Sequence, residues 1–156
     1  MSFEQRIEEL GLSLPTPPQP VATYVPFTQV GHLLFLSGVV PTRNGQIVYQ
    51  GKLGRDFSKE EGYEASQLTL LNALANIRIA VNSLDRVKQI AKITGYVASH
   101  EGFSEQPYVI NGASDLVVDI FGNAGRHARV AVGVAELPLG VPVELDLIVE
   151  VLPPSG

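Results

Sequence analysis

Two apolar strand patterns close the chain, and they constrain its fold more than any other feature. Val130 to Val134 reads Val-Ala-Val-Gly-Val, and Val143 to Val149 reads Val-Glu-Leu-Asp-Leu-Ile-Val. Such runs are nearly continuously apolar or alternate with period two, as in strands packed on one or both faces of a sheet. A sheet built from them needs helices or a second chain to cover it. The segment Leu137-Pro138-Leu139-Gly140-Val141-Pro142 separates the runs. Two prolines and a glycine punctuate a turn, so antiparallel neighbours are the economical pairing. Arg129 then enters one strand, Glu144 stands early in the next, and the hairpin brings them near each other.

The cover is legible upstream. Ser58-Lys59-Glu60-Glu61 is a capping box, in which Ser58 accepts from the Glu61 amide while Glu61 reaches back to the Ser58 amide. From Gly62 to Val81 the apolar positions Ala65, Leu68, Leu71, Ala73, Leu74, Ile77 and Ala80 recur with helical spacing, and Asn82 and Ser83 end the pattern. Ser104 is placed to cap a second helix running to about Phe121, with Pro107 in its first turn and Gly122 as its stop. Between the helices, Val87 to Ser99 reads as a strand with a bulge at Gly95.

Thr23 to Phe27 and Leu33 to Leu36 read as strands, the first an edge because of Pro26. The Asn44-Gly45 turn leads into Ile47-Val48-Tyr49, completing a meander of three. Ahead of them, Ser2 to Leu10 forms a short amphipathic helix ending at Gly11. Pro15, Pro17, Pro18 and Pro20 favour an extended arm up to Val21. The order is three strands, helix, strand, helix, two strands. The expectation is one α+β domain over residues 1–156, with 1–21 a helix and proline-rich arm, and with two helices on one face of a single sheet. The other face is left for self-association.

Composition narrows the functions. The chain has 156 residues, enough for a self-sufficient core, and is 45% hydrophobic but only 17% charged. Lys and Arg number 11 against 16 Asp and Glu, a net charge of -5, and no basic cluster appears, which disfavours nucleic acid. With no cysteine, disulfides, thiol catalysis and Cys-ligated zinc are excluded. His32, His100 and His127 lack metal-ligand spacing. There is neither a signal-peptide pattern nor an apolar run of spanning length, so the expected compartment is the cytoplasm, away from membranes.

Several residues stand out as candidates. Arg129 reads either as a guanidinium fork for a substrate carboxylate or as a solvated strand-end Arg in a weak surface pair. Ser37-Gly38 closes a strand where a glycine allows close backbone approach to a ligand or makes a bend, without a hydrolase elbow around Ser37. Gly51-Lys52-Leu53-Gly54-Arg55 lacks Walker spacing and Rossmann context; it reads as a mobile loop whose Lys52 and Arg55 can rim a cleft. Asn111-Gly112 sits inside the second helix, which points to close helix packing or a polar contact by Asn111. His127 shares strand parity with Arg129, although an ordinary surface His is the simpler reading. Tyr24, on the edge strand, suits either packing or a ligand contact.

Taken in order, Tyr24, Gly31-His32-Leu33-Leu34-Phe35-Leu36-Ser37-Gly38, Gly51-Lys52-Leu53-Gly54, the long helix, Ala128-Arg129, Leu137-Pro138 and Val143-Glu144-Leu145 resemble the Rid (reactive intermediate deaminase) family. These proteins are also called YjgF-like or endoribonuclease L-PSP proteins. The resemblance runs from about Tyr24 to Val151, and the stretches Val109 to Leu116 and Gly125 to Arg129 look like a longer branch. His127 stands where many members have proline. The resemblance implies a chorismate-mutase-like (bacillus-type) fold assembled as a homotrimer with clefts between subunits. It implies hydrolytic deamination of 2-aminoacrylate-like enamines and imines to 2-keto acids and ammonia, without a cofactor or metal. Arg129 would hold the carboxylate and Glu144 would position or activate water, while Tyr24, Ser37, Gly38 and Asn111 would line the cleft. The alternative is a trimer of the same fold that binds a small carboxylate metabolite without turning it over. Ribonuclease activity, carried only by the older name, is disfavoured by the acidic balance.

Overall fold

A computed structural model describes residues 1–17 and 23–154. Residues 18–21 of the predicted proline arm lie outside them. The five-stranded sheet is formed by β1 (Phe27–Val30), β2 (Leu33–Leu36), β5 (Val87–Ala98), β6 (Ala128–Val134) and β7 (Val143–Val151), in the spatial order β1-β2-β7-β5-β6. β3 (Thr42–Arg43) and β4 (Gln46–Ile47) make a separate two-stranded hairpin around Asn44-Gly45. The turn was legible, but its strands do not join the main sheet, and the first strand begins at Phe27 rather than Thr23.

The largest difference from expectation is the pairing of the closing strands. β6 and β7 are not neighbours: β5 lies between them, parallel to β6 and antiparallel to β7. A parallel pair needs a long crossover, and α3 (Gln106–Phe121) supplies it between β5 and β6. The proline-rich connector after β6 then passes over the end of β5 instead of folding back. There the Ser99 amide donates to Val134 O at 2.9 Å, and the Ala98 amide donates to Pro142 O at 2.9 Å. Turn residues mark a change of direction; they do not say how many strands the connection crosses.

β7 shows the alternation that builds the core. Val143, Leu145, Leu147, Val149 and Val151 are buried beneath the helices, while Glu144, Asp146, Ile148 and Glu150 face the other way and are half-buried. The cover is α2 (Lys59–Val81) and α3. α2 starts with the expected Ser58–Glu61 capping box and ends with Asn82 in the left-handed region, φ 69°. α3 starts at Gln106 after Glu105, with no side-chain cap, so Ser104 does not perform the predicted role; Pro107 and Gly122 do. The two helices press together at Gly112, where a Cβ would collide with the Tyr63 carbonyl. Gly95 makes no bulge. Its missing side chain leaves room for Ile110 of α3, and the register irregularities of β5 fall at Val87/Gln89 and Ile90/Lys92.

The opposite sheet face is open in the single chain. Val30, Leu33, Phe35, Val130 and Val132 are exposed there in register with Ile148, Thr94 and Tyr96. An apolar face of this breadth is unusual for a lone chain.

At the N-terminus, α1 (Phe3–Glu9) is capped by Ser2 and buries Ile7. Asp85 Oδ1 accepts from the Phe3 and Glu4 amides at 2.7 and 3.2 Å. Burial alone would raise the Glu4 carboxyl, but Arg78 and the Leu84 amide outweigh it and hold the group below its ordinary value. The helix is thus clamped to the body.

Candidate functional site

Arg129 is the second residue of β6, and its Cα partner is Ile93, which is fully buried under the helices. Cross-strand partners share a face, so the guanidinium lies on the helix side of the sheet. It meets α3 there: Nη1 donates to Asn111 Oδ1 at 2.7 Å and to Ser114 Oγ at 3.2 Å. Asn111 and Ser114 stand three apart on one helix and therefore face the same strand. His127 adjoins them, with Nε2 2.8 Å from Ser114 Oγ and Nδ1 2.6 Å from Gly125 O. His127 is half-buried and bonded through both ring nitrogens, unlike an ordinary surface histidine. The polar contact foreseen for Asn111 and the close packing foreseen for Gly112 both occur, on adjacent residues.

Glu144 belongs to a different place. Its Cα partner is Tyr96, so it projects from the open face. Ile93 pairs with both Arg129 and Leu147, which puts Glu144 two strands over and three residues along from Arg129. The expected pairing of Arg129 with Glu144 does not exist within one chain: their Cα atoms are roughly 14 Å apart by sheet spacings, and their side chains leave opposite faces.

Glu144 has neighbours of its own. A Cβ on Gly38 would strike the Glu144 carboxylate, so the glycine at the end of β2 admits that side chain. Val39 and Leu145 exchange backbone hydrogen bonds at 2.8 and 3.0 Å, fixing Gly38 beside β7. Ser37 is spent on structure: its hydroxyl donates to Val25 O at 2.5 Å and its amide to Pro26 O at 2.9 Å. This ties the bend carrying Tyr24 to the site. Tyr24 precedes the edge strand rather than lying in it, and is 60% exposed.

Burial, and then the charge of Asp146, push the Glu144 carboxyl above its ordinary value. Tyr96 donates to Asp146 Oδ2 at 2.8 Å, and that bond followed by burial raises the Tyr96 phenol. Glu144 therefore sits beside a second carboxylate that is held in place. Such an arrangement suits a group that must both take and return a proton. Sequence reasoning missed Ser114, Tyr96 and Asp146. Asp146 had a signal in its two-residue spacing from Glu144, and Ser114 in its three-residue spacing from Asn111. Tyr96 had none, since finding it requires the register of β5 on β7.

The Gly51–Arg55 segment closes into a turn, with Lys52 O accepting from the Asp56 and Phe57 amides at 2.9 and 3.1 Å. Lys52 and Arg55 do rim a cleft, of about 370 Å³, but Lys52 is paired with Glu136 at 2.6 Å and Arg55 with Asp56 at 2.9 Å. Among the described residues, no helix is long and apolar enough to cross a membrane.

The family described as "YjgF/chorismate mutase-like, putative endoribonuclease" matches residues 4–151. The chain belongs to the YjgF/Rid family. The match begins within α1, so the N-terminal helix lies inside the family's span, where the sequence resemblance had started only near Tyr24. Protein TCP17 of Trypanosoma cruzi is 41% identical, covering 92% of this chain and 91% of its own length. Protein Atu1372 of Agrobacterium tumefaciens is 44% identical with a TM-score of 0.90, over 96% of this chain and 92% of that one. A Shewanella oneidensis MR-1 protein whose structure carries the same endoribonuclease description is 38% identical with a TM-score of 0.94, over 97% of this chain and all of that one. A Thermotoga maritima protein described as a "putative endoribonuclease" superposes less closely, with a TM-score of 0.63 at 26% identity over 88% of this chain and 94% of that one.

Proposed function

We propose that the protein hydrolyses reactive 2-enamino and 2-imino acids, of the 2-aminoacrylate type, to 2-keto acids and ammonia. We further infer that it does so as a homotrimer, in clefts where the Arg129 half of one subunit meets the Glu144 half of the next. The observation that carries this reading is the state of Arg129. Both hydrogens of Nη1 are committed to Asn111 and Ser114, while Nε and Nη2 have no partner among the described residues. A half-buried guanidinium anchored on one side and free on the other is arranged to take a carboxylate through two parallel hydrogen bonds.

The chemistry asks little beyond placement. The enamine tautomerises to the imine, whose C2 is already electrophilic. As water adds to C2, Glu144 accepts a proton from it and returns one to the imine nitrogen, which leaves Glu144 ionised again. The carbinolamine then collapses: the C–N bond breaks, the hydroxyl proton passes through Glu144 to the departing nitrogen, and ammonia leaves a 2-keto acid. Water in and ammonia out balance the reaction. A carboxyl with raised proton affinity fits both transfers, and positioned acid–base help of this kind contributes about 10²–10⁴-fold. Tyr24, Ser37, Gly38 and Asn111 shape the cleft in this account, and the open apolar sheet face supplies the surface that assembly covers.

The test is ammonia release from a 2-imino acid generated in the assay by an amino-acid oxidase. Wild type is expected to exceed the spontaneous rate, and Arg129→Ala to fall back to it while its melting temperature stays close to wild type. If wild type and Arg129→Ala both leave the spontaneous rate unchanged, the enzymatic reading fails. Tight binding of a 2-keto acid with no turnover favours the non-catalytic trimer instead.

A further inference from the structure

We propose that Ser114 and His127 are positioning residues that hold the Arg129 guanidinium so that only its Nε/Nη2 edge is presented to ligand. This rests on the reading above that Arg129 receives the carboxylate. The argument is one of donors and acceptors. Gly125 O can only accept, so of the two one-hydrogen tautomers of the His127 ring the contact selects the one with its hydrogen on Nδ1, 2.6 Å away. Nε2 is then an acceptor, and the Ser114 hydroxyl 2.8 Å away must donate to it. With its hydrogen spent, Ser114 Oγ is left with lone pairs, and one accepts from Arg129 Nη1. All the bonds run in one direction: guanidinium to serine, serine to imidazole, imidazole to backbone. Chains of this kind reinforce one another.

The consequence is geometric. Nη1 carries two hydrogens, and Asn111 Oδ1 and Ser114 Oγ take both. The end-on approach, which needs Nη1 and Nη2 together, is closed. The side-on approach through Nε and Nη2 remains, and it sets the plane in which a bound carboxylate lies and hence the face its C2 presents. Neither Ser114 nor His127 touches the ligand in this account. They act through Arg129, in the way that outer partners orient a ligating group.

Two readouts on the intact protein test this. The first, without ligand, is 15N-resolved NMR of the His127 ring and the Arg129 guanidinium. The Nδ1–H tautomer is expected, together with distinct Nη1 signals that collapse in Ser114→Ala. The second is calorimetry with pyruvate as the probe. Ser114→Ala and His127→Ala should each weaken binding by about tenfold, the scale of one hydrogen bond to a charged group. Ser114→Thr keeps the hydroxyl, and His127→Gln keeps an acceptor near the position of Nε2; both should bind as wild type does. A hydrogen on His127 Nε2, or Ser114→Ala binding pyruvate like wild type, overturns the proposal. Wild type that ignores pyruvate while its Arg129 signals still respond to Ser114→Ala overturns the carboxylate role and upholds the positioning one.

Discussion

The two halves of the candidate site are built on opposite principles. Around Arg129, on an edge strand, both hydrogen bonds of the guanidinium among the described residues come from one helix, and Asn111 and Ser114 hold the charge before any ligand arrives. Glu144, on a strand paired on both sides, has no hydrogen-bond partner among the described residues and lies against Gly38, with its proton affinity raised. One half is finished and the other is waiting. An oriented cation needs no reorganisation when it binds, whereas a partly desolvated carboxylate without partners is suited to exchanging protons.

The difference can be broken first at Glu144. Glu144→Gln keeps the shape and removes the base, so kcat should fall by about 10²–10⁴-fold. Binding of a 2-keto acid to Arg129 should persist, and steady-state kinetics alongside calorimetry separate the two effects. A loss of binding as large as the loss of rate would mean that the halves are not distinct.

Next comes the open face. Val132, in register with Tyr96, is exposed in the single chain. Val132→Glu is expected to yield monomers by analytical ultracentrifugation and to lose turnover. The Ser114–His127 hydrogen bond, on the other side of the sheet, should stay intact by NMR.

Some of this was legible in the residues and some was not. The Ser58–Glu61 box, the left-handed stop at Asn82 and the alternation of β7 are local, and reading them needed only spacing. The order β7-β5-β6 is a long-range choice, and the turn chemistry of Leu137–Pro142 serves a hairpin and a crossing over β5 equally well. Arg129 and Asn111 could be picked out singly because a charge at a strand entrance and an amide beside a helical glycine are unusual. That they bond, and that Glu144 leaves the opposite face, follows from α3 lying over β6, which no local pattern states.

The smallest expected effect concerns Asp146. Its charge helps keep the Glu144 carboxyl above its ordinary value, so Asp146→Asn should lower it. In the proposed reaction the ionised form is the base, so the rate should fall as pH drops through the Glu144 value, and the variant's acid limb of kcat/KM should move to lower pH. The stability linkage has a matching sign. A carboxyl raised in the folded state contributes stability below its unfolded value and loses it as pH rises through the folded one, a loss that the variant should lessen. The asparagine oxygen can still accept from Tyr96, which keeps the readout electrostatic.

The claim that Arg129 and Glu144 meet only between subunits has a direct measurement. Arg129→Ala and Glu144→Gln proteins, each inactive alone, are unfolded together, refolded at equal concentrations and assayed for ammonia release. Random trimers should place an intact Arg129 opposite an intact Glu144 in about a quarter of their clefts and recover a corresponding share of wild-type activity. A mixture as inactive as its parents would contradict the account.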